Sequence, residues 1–116
     1  MIVKESCQYV RSYSELEELQ HAHTLYYSAR RTEMGIVLEL AQEQSGSCTV
    51  SRVLCPAGNF PQAMRVMRYL CENGIGPGQW LEILEDLHQP FCLLTPPDTV
   101  QTPQNADFGK RFVVFV

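Results

Sequence analysis

Residues 59–87 constrain the fold of this chain more than any other stretch, because they read as two amphipathic helices joined by a glycine-rich turn. In the first, Phe60, Ala63, Met64, Met67, Leu70 and Cys71 recur at steps of three and four and so share one stripe. Trp80, Leu81, Leu84 and Leu87 repeat the pattern in the second. Asn73-Gly74 stops the first helix, since a glycine at C′ takes the left-handed conformation without a Cβ clash. Gly76-Pro77 starts the second, because proline at the first helical position gives up only an N–H that had no partner. Both stripes need an apolar surface to cover.

The residues upstream supply one. From Thr24 the period is two: Leu25, Tyr27 and Ala29 alternate with Tyr26, Ser28 and Arg30, as in a half-buried strand. After a connection at residues 32–35, Ile36, Leu38 and Leu40 share one face, and Val37, Glu39 and Ala41 the other. Ser45-Gly46-Ser47 supplies a turn, and a third strand follows over residues 48–54, with Cys48, Val50 and Leu54 as its inward set. Cys55-Pro56-Ala57-Gly58 breaks that strand. Nearer the start, residues 2–10 read as a short strand. Ser14 and Glu17 have capping-box spacing, which predicts a brief helix over residues 15–20 anchored inward by Leu16 and Leu19.

Strands joined by short connections form an antiparallel meander with one apolar face. The expected fold class is therefore α+β: a small meander of three to four strands covered on one face by two amphipathic helices. Residues 1–90 make up this single domain. In residues 91–116, Pro96, Pro97 and Pro103 interrupt a stretch rich in Thr, Gln, Asn and Asp, which reads as an irregular tail. The tail ends in Phe112, Val113, Val114, Phe115 and Val116, a β-prone run that is an aggregation hazard when exposed. It is expected to pair with a sheet edge, in its own subunit or a neighbour's.

The second-half pattern also has a resemblance. Met34-Gly35-Ile36 and the strand pair that follows, then the run from Glu72 to Leu87, resemble a family of short, functionally uncharacterised bacterial proteins. Members share a Gly-Ile strand start, a strand pair, a helix ending in Glu/Asp-Asn, a turn of the form Val-x-Pro and a closing helix with an acidic end. Here Ile75-Gly76-Pro77 occupies the turn and Glu85-Asp86 the acidic end, and the resemblance covers roughly residues 24–88. It implies the fold and brings no activity, cofactor or catalytic residue. The proline-rich tail and its hydrophobic end depart from the family's pattern.

Composition narrows the function classes. The formal net charge of -4 over 116 residues argues against a general nucleic-acid binder, which displaces counterions from phosphate with a basic surface. No apolar run approaches the ~20 residues that cross a bilayer, and residues 1–10 lack the apolar core of a signal peptide, so the expected setting is cytoplasmic. Cys7, Cys48, Cys55, Cys71 and Cys92 are odd in number and scattered, which fits reduced thiols better than a disulfide framework.

Each chemical motif has a plainer structural explanation. His21-x-His23 offers two imidazoles, but zinc needs three or four convergent ligands, and no second pair has ligand spacing. Cys55 is the one cysteine in a loop-like setting, and a nucleophile there requires His21, His23 or His88 within reach. Gly74-x-Gly76-x-Gly78 follows a helix rather than a strand, so it is cap and turn, not a phosphate cradle. The second helix offers Glu82, Glu85 and Asp86 and no basic residue, against a helix-turn-helix reading; the three carboxylates share a solvent face rather than flank a cleft. Arg30, Arg31 and Arg52 are expected on a solvated face or paired to the acidic second helix.

No catalytic residue, cofactor or metal is therefore assigned. The favoured class is a small non-catalytic interaction or regulatory module that self-associates, a homodimer being the commonest symmetric outcome. Its expected partner is a protein or a second copy and not a membrane, with RNA or another anion at Arg65, Arg68, Arg30, Arg31 and Arg52 as the least favoured alternative. The candidate surfaces are Arg65, Arg68 and Tyr69 on the first helix, and Phe112, Val113, Val114 and Phe115 at the chain's end. The alternative is a small enzyme or ligand-binding domain with a pocket between sheet and helices.

Overall fold

The computed structural model describes residues 2–56, 58–94, 100–101 and 113–115, the last two stretches by their backbone alone. Four long strands, β1 (Val3–Tyr13), β2 (His23–Thr32), β3 (Gly35–Gln44) and β4 (Ser47–Cys55), precede two helices, α1 (Phe60–Glu72) and α2 (Trp80–Asp86). Three short strands follow: β5 (Cys92–Leu93), β6 (Val100–Gln101) and β7 (Val113–Phe115). The sheet order is β5-β4-β3-β2-β1-β7, with β6 also on β4. β1 to β4 form an antiparallel meander, so the protein is α+β.

Local chemistry sets the turns. Ser45 and Gly46, both at positive φ (52° and 80°), form a two-residue hairpin whose twist matches the flanking strands. Glu33 and Met34 form the other tight connection, where the Thr32 hydroxyl accepts from the Met34 N–H and donates to the Gly35 carbonyl. The first strand is longer than residues 2–10 and pairs with β2 up to Tyr13↔His23. That pairing overturns the capping-box helix. Residues 14–22 close a hairpin in which Leu16 bridges Gln20, and Glu18 sits at φ 65. Leu16 and Leu19 are not inward anchors: they are 50% and 82% exposed.

Asn59 caps α1, its side chain accepting from the Gln62 N–H at 2.8 Å. At the other end the Gly74 N–H donates to the Cys71 carbonyl and the Ile75 N–H to the Leu70 carbonyl, with Gly74 at φ 63. This is the Schellman arrangement expected of a C′ glycine. The stripe includes Val66, which the three- and four-residue count had passed over. α2 begins later than Gly76-Pro77 implies: Gln79 is its N-cap, and Pro77 lies in the preceding turn. Its buried residues are Trp80 and Leu84, while Leu87 lies past its end, 49% exposed.

The main core gathers the buried residues of both helices with Cys7, Tyr9, Leu25, Tyr27, Ala29, Ile36, Leu38, Leu40, Val53 and Cys55. On β4 the helix-side residues are thus Val53 and Cys55, with Ser51 accepting from the Trp80 indole N–H at 2.9 Å. The set Cys48, Val50 and Leu54 points the other way. There Cys48, Val50 and Ala41 form a second buried cluster with Tyr26 packed on it. Val37 is 1% exposed as well, so the expectation of a single apolar face fails. β3 is apolar on both sides, and a strand buried on both faces does not display a polar alternation.

Candidate functional site

The second face carries a polar row that period-two reading places in solvent. Strand register sets Gln8 opposite Ser28, Ser28 opposite Glu39, and Glu39 opposite Arg52, one residue from each long strand. The Gln8 amide donates to the Ser28 hydroxyl at 3.1 Å. The Glu39 carboxylate, 1% exposed, accepts from Arg52 Nε at 2.5 Å and from Arg30 at 3.5 Å. Arg30 and Arg52 are therefore neither a solvated face nor partners of α2, because the carboxylate between them in the sheet is nearer. A carboxylate this deep persists only when charged donors replace its water.

Other expected sites resolve into structural roles. His23 stacks on Tyr13 with ring centroids 4.5 Å apart, and its Nδ1 lies 2.8 Å from the His21 carbonyl. Exposed His21 faces Glu15 at 4.0 Å. Among the described residues no group of three or more His, Cys, Asp or Glu is placed to hold a metal ion. Cys55 is 2% exposed, and burial pushes its thiol up to about 11, the opposite of an activated nucleophile. Cys7, Cys48 and Cys71 are raised for the same reason, and all five cysteines are free thiols. Glu82, Glu85 and Asp86 are exposed, as a solvated helix face requires.

Among the described residues, one groove of about 380 Å³ lies within the hairpin tip, lined by residues 15–21, and two more lie at opposite ends of the sheet. Of these two, one, about 350 Å³, is lined by Tyr13, His23, Thr24, Glu43 and Gln44; the other, about 480 Å³, by Glu5, Arg31, Met34, Asn59 and Phe60. Arg31 in the latter is held by Glu5 at 2.6 Å. Between sheet and helices the packing is tight, with Tyr27, Leu40, Met67, Leu70, Trp80 and Leu84 all at 0% exposure.

The surface candidates separate into two places. Arg65, Arg68 and Tyr69 lie together on the exposed side of α1. Arg65 donates to the Gln62 carboxamide at 2.9 Å, Arg68 lies 3.8 Å from Glu72, and Tyr69 is 50% exposed. Val113, Val114 and Phe115 form β7, which adds to β1 in parallel opposite Gln8, Tyr9 and Val10. Phe112 lies outside the described residues. β1 carries a second edge feature, a bulge that leaves Lys4 out of register between Val3 and Glu5. A lysine in a bulge discourages strand pairing at that end of β1, away from the Gln8–Val10 stretch that β7 meets. The other edge, β4, is met by β5 at Val53 and Leu54 and by β6 at Cys48 and Thr49.

Comparison of the chain with protein-family models, with curated proteins and with solved structures returns no match. No helix among the described residues is long and apolar enough to cross a membrane.

Proposed function

We propose that this protein is a small non-catalytic interaction module that takes up an extended apolar segment as an added strand at the β1 edge. Its own C-terminal segment is one occupant and that of a second copy another, so a homodimer is the expected assembly. The observation that carries this reading is the β7–β1 pair: three residues on an eleven-residue edge strand. So short a parallel ladder has about two or three backbone hydrogen bonds, each worth roughly 0.5–1.5 kcal/mol net. Exchange for a competing strand therefore costs only a few kcal/mol before the newcomer's own contacts are counted.

Filled helix–sheet packing and deeply buried thiols support a scaffold rather than a catalyst. On this reading both helices form one amphipathic layer on one face of the meander. The free thiols suit a reducing, cytoplasmic setting. The likeness of residues 24–88 to short bacterial proteins belongs to the same proposal. Removing residues 108–116 tests it: the shortened chain is expected to melt lower or to change its oligomeric state. A shortened chain that keeps both the melting temperature and the oligomeric state of the full chain would refute strand addition.

A further inference from the structure

The β1–β2 hairpin tip is an apolar knuckle ringed by carboxylates, and it is held in shape. The Leu16 N–H donates to the Gln20 carbonyl at 3.0 Å, and the Gln20 N–H returns to the Leu16 carbonyl at 3.0 Å. The Leu19 N–H donates to the Leu16 carbonyl at 2.9 Å, and the Gln20 side chain to the Ser14 carbonyl at 2.6 Å. This frame projects Leu19, 82% exposed, and Leu16, 50% exposed, among exposed Glu15, Glu17 and Glu18. A fixed apolar tip loses little conformational freedom on docking, which makes it a good anchor.

The exposed side of α1 has the opposite character: two arginines, Arg65 and Arg68, beside half-exposed Tyr69. It is the charge complement of the knuckle, with an aromatic surface for the leucines. The end of the helix that carries the arginines meets the base of the hairpin that carries the knuckle. Arg11 donates to the Cys71 and Glu72 carbonyls at the end of α1, at 3.1 and 2.9 Å, and Gly74 abuts the Tyr13 hydroxyl at the base of the hairpin. A two-fold axis at that end lets each copy give its knuckle and receive its partner's, doubling the contact.

We infer that the occupant of the Arg65/Arg68/Tyr69 face is the Leu16/Leu19 knuckle of a second copy of this chain. This rests on the self-association proposed above and gives it a second, electrostatic contact. Sedimentation equilibrium of the full chain tests it with two charge-reversed proteins, Glu15→Lys/Glu17→Lys and Arg65→Glu/Arg68→Glu. Every altered residue is exposed, so the melting temperature measured at dilutions where the native chain is itself monomeric should stay nearly unchanged.

The native chain is expected to dimerise more weakly as salt rises, because salt screens the contact. Each variant alone should dimerise at least about tenfold more weakly, as buried or close interfacial charges do when reversed. An equimolar mixture of the two should regain the native affinity, since reversed knuckle meets reversed helix and native knuckle meets native helix. Leu19→Asp should weaken the dimer without lowering the melting temperature of the dilute monomer. A dimer indifferent to all of these but lost on removal of residues 108–116 would overturn this contact and leave strand exchange standing. A native chain that stays monomeric throughout would overturn this contact and the homodimer, and leave strand addition within one chain to the melting test of the shortened protein.

Discussion

Glu39→Ala is the most informative single perturbation of this fold. The carboxylate is 1% exposed and is held by Arg52 at 2.5 Å and Arg30 at 3.5 Å, while the two arginine side chains are only 20% and 17% exposed. Deleting the carboxylate takes a buried charged acceptor from both arginines, and removing one member of a buried pair costs about 3–5 kcal/mol. For a domain whose whole stability is about 5–15 kcal/mol, that is a large part of the total. Glu39→Gln keeps the shape and one acceptor oxygen, so its cost should be smaller, about 1–3 kcal/mol. The double change Glu39→Leu/Arg52→Met should cost less than Glu39→Ala, because it removes the nearer of the two guanidinium charges together with the carboxylate. Urea unfolding at neutral pH measures all three as shifts in midpoint at constant slope. If Glu39→Ala and Glu39→Gln both lie within about 0.5 kcal/mol of the native chain, as surface changes do, the carboxylate is not buried between arginines and the polar row is misplaced.

Two further predictions rest on other parts of the fold. Gly74→Ala puts a Cβ against the Tyr13 hydroxyl at φ 63, so it should cost at least the ~1–2 kcal/mol of a left-handed alanine, and Tyr13→Phe should recover whatever the hydroxyl adds in the double mutant. Cys55 is ordinarily near 9 and is pushed up to about 11 by burial, so the folded state holds its proton more tightly than the unfolded. Its contribution, roughly 2–3 kcal/mol, is fully present below pH ~9 and lost as pH rises through ~11. Cys7, Tyr9, Tyr27, Cys48 and Cys71, also raised by burial, act in the same direction. Urea midpoints should therefore fall steadily above pH ~9, and a flat profile there would contradict the buried thiols. Under native conditions a thiol reagent should modify exposed Cys92 first, and modification of Cys55 ahead of it would do the same.

How much of this was readable beforehand varies by element. The alternation of Leu25, Tyr27 and Ala29 and the stripe of α1 are set by local periodicity, so the strand, the helix and their buried sides follow directly from the residues. The C′ role of Gly74 is legible for the same reason. Glu39 is not. Alternation puts a lone charge on the solvent side of its strand, and only the four-strand register reveals Gln8, Ser28 and Arg52 beside it. The available signal was Val37 and Ala41 flanking it, apolar residues on a side that should have been polar. The hairpin tip is not legible because Ser14-x-x-Glu17 is the same pattern in a helix start and in a hairpin tip. What decides is the pairing of Tyr13 with His23, a non-local contact. The inward set of β4 went astray because Cys48 and Val50 are buried, but on the far face.

The most direct measurement of the central claim is an NMR titration. A labelled chain ending at residue 107 would be titrated with an unlabelled peptide of residues 108–116. Strand addition predicts saturable shifts at the Gln8, Tyr9 and Val10 amides, the positions that face β7 in the intact fold. A peptide that binds without touching those three amides, or does not bind, would contradict the account.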